Sequence, residues 1–93
     1  MKPSETQNAV VKILYFARLR EALDKGEEEL VIPEGVSDVG GLLQFLRARG
    51  GAWANELDSG KAVRIAVNQD MADAQTAIEG GEEIAFFPPV TGG

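Results

Sequence analysis

Only one stretch of this chain has the apolar period of a long helix. Val39, Leu42, Leu43 and Leu46 fall at i, i+3, i+4 and i+7, with Ser37 in the capping position before them and Gly50-Gly51 stopping the run behind. A chain of 93 residues with a single such helix must supply the other wall of its core from strands. Gly40-Gly41 weaken the first turn of that helix by about 1 kcal/mol each relative to alanine, which points to close packing against a sheet.

The strands lie on either side of the helix. Val10 to Phe16 is dense in β-branched and aromatic residues; alternation sets Val11, Ile13 and Tyr15 on one face and Lys12, Leu14 and Phe16 on the other. Ala17 to Leu23 reads as a short helical turn with Leu19 and Leu23 four apart, closed by Gly26. Glu29 to Pro33 reads as a second strand, antiparallel to the first because the connection is short. Trp53 and Leu57 suggest another short apolar turn, with Trp53 in the core. Ala62 to Val67 alternates again, Asn68-Gln69-Asp70 is turn-forming, and Gly80-Gly81 precede a last strand, Glu82 to Phe87. Strand, strand, helix, strand, strand in one short chain predicts an α+β, β-grasp (ubiquitin-like) fold. One main helix crosses a mixed sheet of about four to five strands whose first and last members are central neighbours. The expected organisation is a polar extension over 1–9, the folded domain over 10–87 and an extended tail over 88–93.

Composition removes several classes of chemistry. There is no cysteine and no histidine, so thiolate nucleophiles, imidazole triads and Cys/His metal sites are excluded. A net charge of −6, from 15 acidic and 9 basic residues, argues against nucleic acid or an anionic membrane as partner. The run Val10 to Ala17 is too short for an export signal or a membrane span, so the expected location is cytoplasmic. Lys2, Lys12, Lys25 and Lys61 read as solvated surface groups. Glu27-Glu28-Glu29 reads as a solvated turn, not as a metal cluster.

The tail is the feature this body does not need for folding. Pro88-Pro89 cannot extend a central strand, and the six residues from Pro88 to Gly93 reach roughly 20 Å when extended. Gly92-Gly93 would pass a narrow slot and leave the terminal carbonyl unhindered. A free α-carboxylate there is ionised at neutral pH and can attack the α-phosphate of ATP; sulfur attack on the resulting acyl adenylate gives a thiocarboxylate. A terminal glycine pair is weak on its own, since Gly40-Gly41, Gly50-Gly51 and Gly80-Gly81 also occur. Strand parity places Phe16 and Phe87 on the face away from the helix with Met71 nearby, either as a docking surface or as a second small core.

The ending Glu83-Ile84-Ala85-Phe86-Phe87-Pro88-Pro89-Val90-Thr91-Gly92-Gly93 resembles that of the small subunit of molybdopterin synthase, and Val67-Asn68-Gln69 and Val11 to Ala17 resemble inner motifs of the same family. The resemblance covers about residues 10 to 93. It implies a ubiquitin-like sulfur carrier with no active site of its own. Gly93, behind Gly92, would be adenylated by a separate ATP-dependent activating enzyme and then thiocarboxylated. Sulfur would pass to cyclic pyranopterin monophosphate in a pocket of the large subunit, within a heterotetramer that builds the molybdenum cofactor. Phe16, Met71 and Phe87 match the family's apolar docking surface, with Pro88, Pro89, Val90 and Thr91 as the arm that enters the partner. No bound cofactor or metal is implied. Two other readings share the glycine pair: a carrier for thiazole biosynthesis or for conjugation to lysines, and a plain β-grasp binding module.

Overall fold

The apolar segments at the two ends of the chain meet in the middle of one sheet. The computed structural model describes residues 9–58 and 63–88. Its elements in chain order are β1 (Val10–Tyr15), α1 (Ala17–Leu23), β2 (Glu27–Val31), α2 (Val39–Arg47), α3 (Gly51–Glu56), β3 (Arg64–Val67), β4 (Asp70–Ala72) and β5 (Glu83–Phe87). The sheet runs β2-β1-β5-β3-β4. β1 is antiparallel to β2 and parallel to β5, while β3 is antiparallel to both β5 and β4. This is the expected mixed β-grasp sheet, with β1 and β5 adjacent and β5 at its centre.

Period two decides what each strand buries. Val11, Ile13 and Tyr15 of β1, Ile65 of β3, and Ile84 and Phe86 of β5 face Val39, Leu42 and Leu46 of α2, with Leu19, Leu23, Leu57 and Ile78 closing the core. Burying such a side chain is worth about 1.5–3 kcal/mol, so a one-residue slip of any central strand would forfeit several of them together. Tyr15 stacks on Phe86 at 6.1 Å between centroids and meets Trp53 edge-on at 5.3 Å. Trp53 thus packs against the core, as its sequence context suggested.

Four local features differ from expectation, each for a physical reason. Asp38, not Ser37, caps α2: its carboxylate accepts from the Gly41 N–H at 2.8 Å, and the Ser37 carbonyl is occupied by the Ile78 N–H. Asp24, not Gly26, ends α1 in the left-handed conformation. Gly40 gives room to a loop instead of the sheet, since a Cβ there would lie 3.2 Å from the Ala74 carbonyl oxygen. The acidic run is not a turn: β2 begins at Glu27, with Glu27, Glu28 and Glu29 opposite Leu14, Ile13 and Lys12. In addition, Asn68 and Gln69, both at positive φ, form a tight hairpin turn that returns the chain as β4, a strand the sequence reading left out.

Candidate functional site: an apolar face at the base of the tail

The sheet surface away from the helices is built by the residues that alternate with the core. Leu14, Ala85, Ala66 and Met71 are successive cross-strand neighbours in one row, and Phe87 pairs with Arg64 in the next. Phe16, just past the end of β1, donates its N–H to the Phe86 carbonyl, which holds its extended backbone beside the end of β5. That anchor brings the rings of Phe16 and Phe87 to 6.4 Å, edge to face. Phe16 is 45% exposed and Met71 60%, so neither fills a second core; Phe87 is half-buried.

Met71 reaches the same face from the far edge. β4 and β5 are separated by β3, which puts Met71 about 10 Å from Ala85 at ordinary strand spacing. The two alanines between them leave a shallow trough with Met71 on one side and Leu14, Phe16 and Phe87 on the other. The apolar area such a surface offers to a partner comes mainly from Phe16 and Met71, since Ala66 between them is only 8% exposed. Phe86, one residue before Phe87, is fully buried and fixes the direction in which the chain leaves the sheet. Pro88 follows, half-buried; Pro89, Val90, Thr91, Gly92 and Gly93 lie outside the described residues.

Behind this face a polar network ties β1, β2 and the end of α2 together. Glu28 points inward. Its Oε2 accepts from the Tyr15 hydroxyl at 2.7 Å and from Arg49 Nη1 at 2.9 Å, and its Oε1 accepts from Arg49 Nη2 at 3.1 Å. The Arg49 guanidinium lies 4.4 Å from the centroid of the Trp53 ring. Burial alone would push the Glu28 carboxyl up, but the bonds from Arg49 and Tyr15 and the charges of Arg49 and Lys25 together hold it below its ordinary value. Burial, then the bond to Glu28, raise the Tyr15 hydroxyl far above its usual range, so it is a fixed hydrogen-bond donor at neutral pH. This network was missed in the sequence. The available signal was parity: Glu28 shares the inward register of Leu30.

Among the described residues, no group of three or more Asp or Glu side chains is arranged to hold a metal ion, and no helix is long and apolar enough to cross a membrane. What the arrangement offers is a mixed sheet with a partly exposed aromatic pair at the end of its central strand. That combination defines a ubiquitin-like β-grasp domain with an apolar face at the end of its last strand.

The chain belongs to the ThiS family, with a match that spans residues 13–93. It is 37% identical over 84 residues to the molybdopterin synthase sulfur carrier subunit of Escherichia coli, covering 90% of this chain and all of that relative. The protein of the same name from Haemophilus influenzae is 34% identical over the same coverage. Among solved structures, a putative molybdopterin converting factor subunit 1 from Pyrococcus furiosus superposes with a TM-score of 0.70 at 28% identity, over 88% of this chain and 99% of that one. A complex of subunits 1 and 2 of molybdopterin-converting factor from Helicobacter pylori shares the fold, with a TM-score of 0.61 at 21% identity over 90% of this chain and 99% of the matched one.

Proposed function

We propose that this chain is the sulfur-carrier small subunit of molybdopterin synthase. The observation that carries the reading is the Phe16–Phe87 pair at the end of β5, with Phe16 exposed and Phe87 half-buried, in a chain whose family match continues through residue 93. A partner that covers this pair is placed to receive whatever follows Pro88. The relatives bearing the sulfur-carrier name are matched over their full length, which supports carrying the whole activity across and not a domain of it.

The chemistry follows from the terminal acyl group. The Gly93 carboxylate attacks the α-phosphate of ATP on an activating enzyme and releases pyrophosphate. Sulfide then displaces AMP from the acyl adenylate and leaves a thiocarboxylate; when a persulfide is the donor, the acyl disulfide first formed is cleaved by a thiol, which leaves the thiocarboxylate and a disulfide. In the large synthase subunit the thiocarboxylate sulfur passes to cyclic pyranopterin monophosphate and the carboxylate is regenerated. The domain would contribute placement: Phe16, Met71 and Phe87 as the docking surface, Pro88, Pro89, Val90 and Thr91 as the arm that enters the partner, and Gly92 and Gly93 as the residues small enough for a narrow channel.

Intact mass spectrometry tests this directly. The full chain, incubated with ATP, sulfide and an adenylating enzyme of this family, should gain the mass difference of one oxygen exchanged for sulfur. Deleting Gly93 should abolish the gain and leave the melting temperature unchanged. Sulfur loading that persists without Gly93, or none in the intact chain, would overturn the proposal.

A further inference from the structure

Two arginines stand on either side of the exposed aromatic pair, and nothing in the fold explains their charge. Arg64 is the cross-strand partner of Phe87 on the open sheet face. Arg20, from α1, lines a depression with Leu14, Phe16 and Glu27 next to the other ring. The sequence Arg20, Phe16, Phe87, Arg64 therefore crosses the end of the sheet from which the tail departs. Three other cations have ion-pair partners, Lys12 with Glu27 at 4.0 Å, Arg18 with Glu56 at 3.6 Å and Arg49 with Glu28 at 2.9 Å, whereas Lys25 and Arg47, away from the aromatic pair, have none among the described residues. Among the described residues Arg20 and Arg64 have none, although the chain carries six more negative than positive charges. In so acidic a protein, unpaired guanidinium groups at one spot are the ones available to a partner.

Gly26 adds an independent observation. It is not among the glycines at positive φ, so its backbone does not require glycine. Its position is close to the guanidinium all the same: a Cβ there would lie 3.3 Å from both Cζ and Nε of Arg20. The guanidinium thus lies close over Gly26, in the same depression as Phe16, and a branched residue at 26 would displace it.

Resting on the proposed carrier role, we infer that Arg20 and Arg64 are electrostatic clamps of the docking face. The large subunit that fits it presents carboxylates on both flanks of the apolar surface covering Phe16 and Phe87. Gly26 is the positioning residue for Arg20. The clamps orient the domain about the axis of the tail, which the aromatic pair alone leaves free to rotate.

The test is the affinity of the full chain for the large synthase subunit, measured by calorimetry at low and high salt. Combined Arg20→Gln and Arg64→Gln should weaken binding about tenfold or more at low salt and flatten its salt dependence, with an unchanged melting temperature. Gly26→Val should weaken binding as Arg20→Gln alone does, again with the fold intact. A double variant that binds as the parent does at both salts would overturn the inference and leave both arginines as solvated surface groups. Phe87→Ala separates the two levels: if the parent binds and Phe87→Ala does not, the carrier reading stands whatever the arginines do. Failure of the parent to bind the large subunit at all would overturn both.

Discussion

Removing one oxygen from Tyr15 tests the buried network most sharply. Tyr15→Phe keeps the ring, its stacking on Phe86 and its edge contact with Trp53, and deletes only the hydroxyl that donates to Glu28 at 2.7 Å. A hydrogen bond to a charged group is worth about 1.5–3 kcal/mol net, and Glu28 keeps its two bonds from Arg49, so the lower end, about 1.5 kcal/mol, applies. At about 4–8 °C per kcal/mol for a domain of this size, the melting temperature should fall by roughly 6–12 °C at pH 7. The pH dependence carries the mechanism. The Glu28 carboxyl is held below its ordinary value in the folded state, so its stabilising contribution is complete above the unfolded value and is lost as pH falls through the folded one. Calorimetry of both proteins between pH 7 and pH 3 should show the gap between them narrowing on the acid side. A gap that stays constant to the acid limit, or no gap at neutral pH, would show that the hydroxyl is not bonded to an ionised Glu28.

Phe86 and Phe87 are adjacent and should behave oppositely: Phe86→Ala empties a fully buried site and should cost about 3–5 kcal/mol in chemical denaturation, whereas Phe87→Ala should cost much less stability and lower affinity for the large subunit. Asp38→Ala removes the cap on Gly41 and should destabilise the domain by about 1 kcal/mol, with Asp38→Ser recovering most of it in the same denaturation assay.

The parts of the fold that could be read from the chain are those where apolar residues keep a strict period. Val11, Ile13 and Tyr15, then Ile84 and Phe86, identify the core faces of β1 and β5, and the same alternation places Phe16 and Phe87 together outside. Val39, Leu42 and Leu46 do the same for α2. The parts that could not be read depend on tertiary partners. Glu27-Glu28-Glu29 has a composition that disfavours a strand, yet pairing with β1 and the opposite charges of Lys12 and Arg49 make it one. β4 spans only Asp70–Ala72, too few residues to display a period, and exists because the hairpin turn at Asn68 and Gln69 returns it against β3. The aromatic pair was foreseeable from parity; the arginines beside it were not, because their significance lies in the carboxylates they lack.

Because β5 fills the gap between β1 and β3, the sheet remains two separate hairpin-like halves, β2-β1 and β3-β4, until residues 83–87 insert. The segment 83–87 is therefore the keystone of the domain, and its pairing with β1 joins residues about seventy apart in sequence, the kind of contact that slows folding. An immature or damaged copy would lack both the aromatic platform and the rigid exit direction. A partner that gripped this platform would thereby be inspecting the whole molecule, and would pass over copies whose architecture is incomplete.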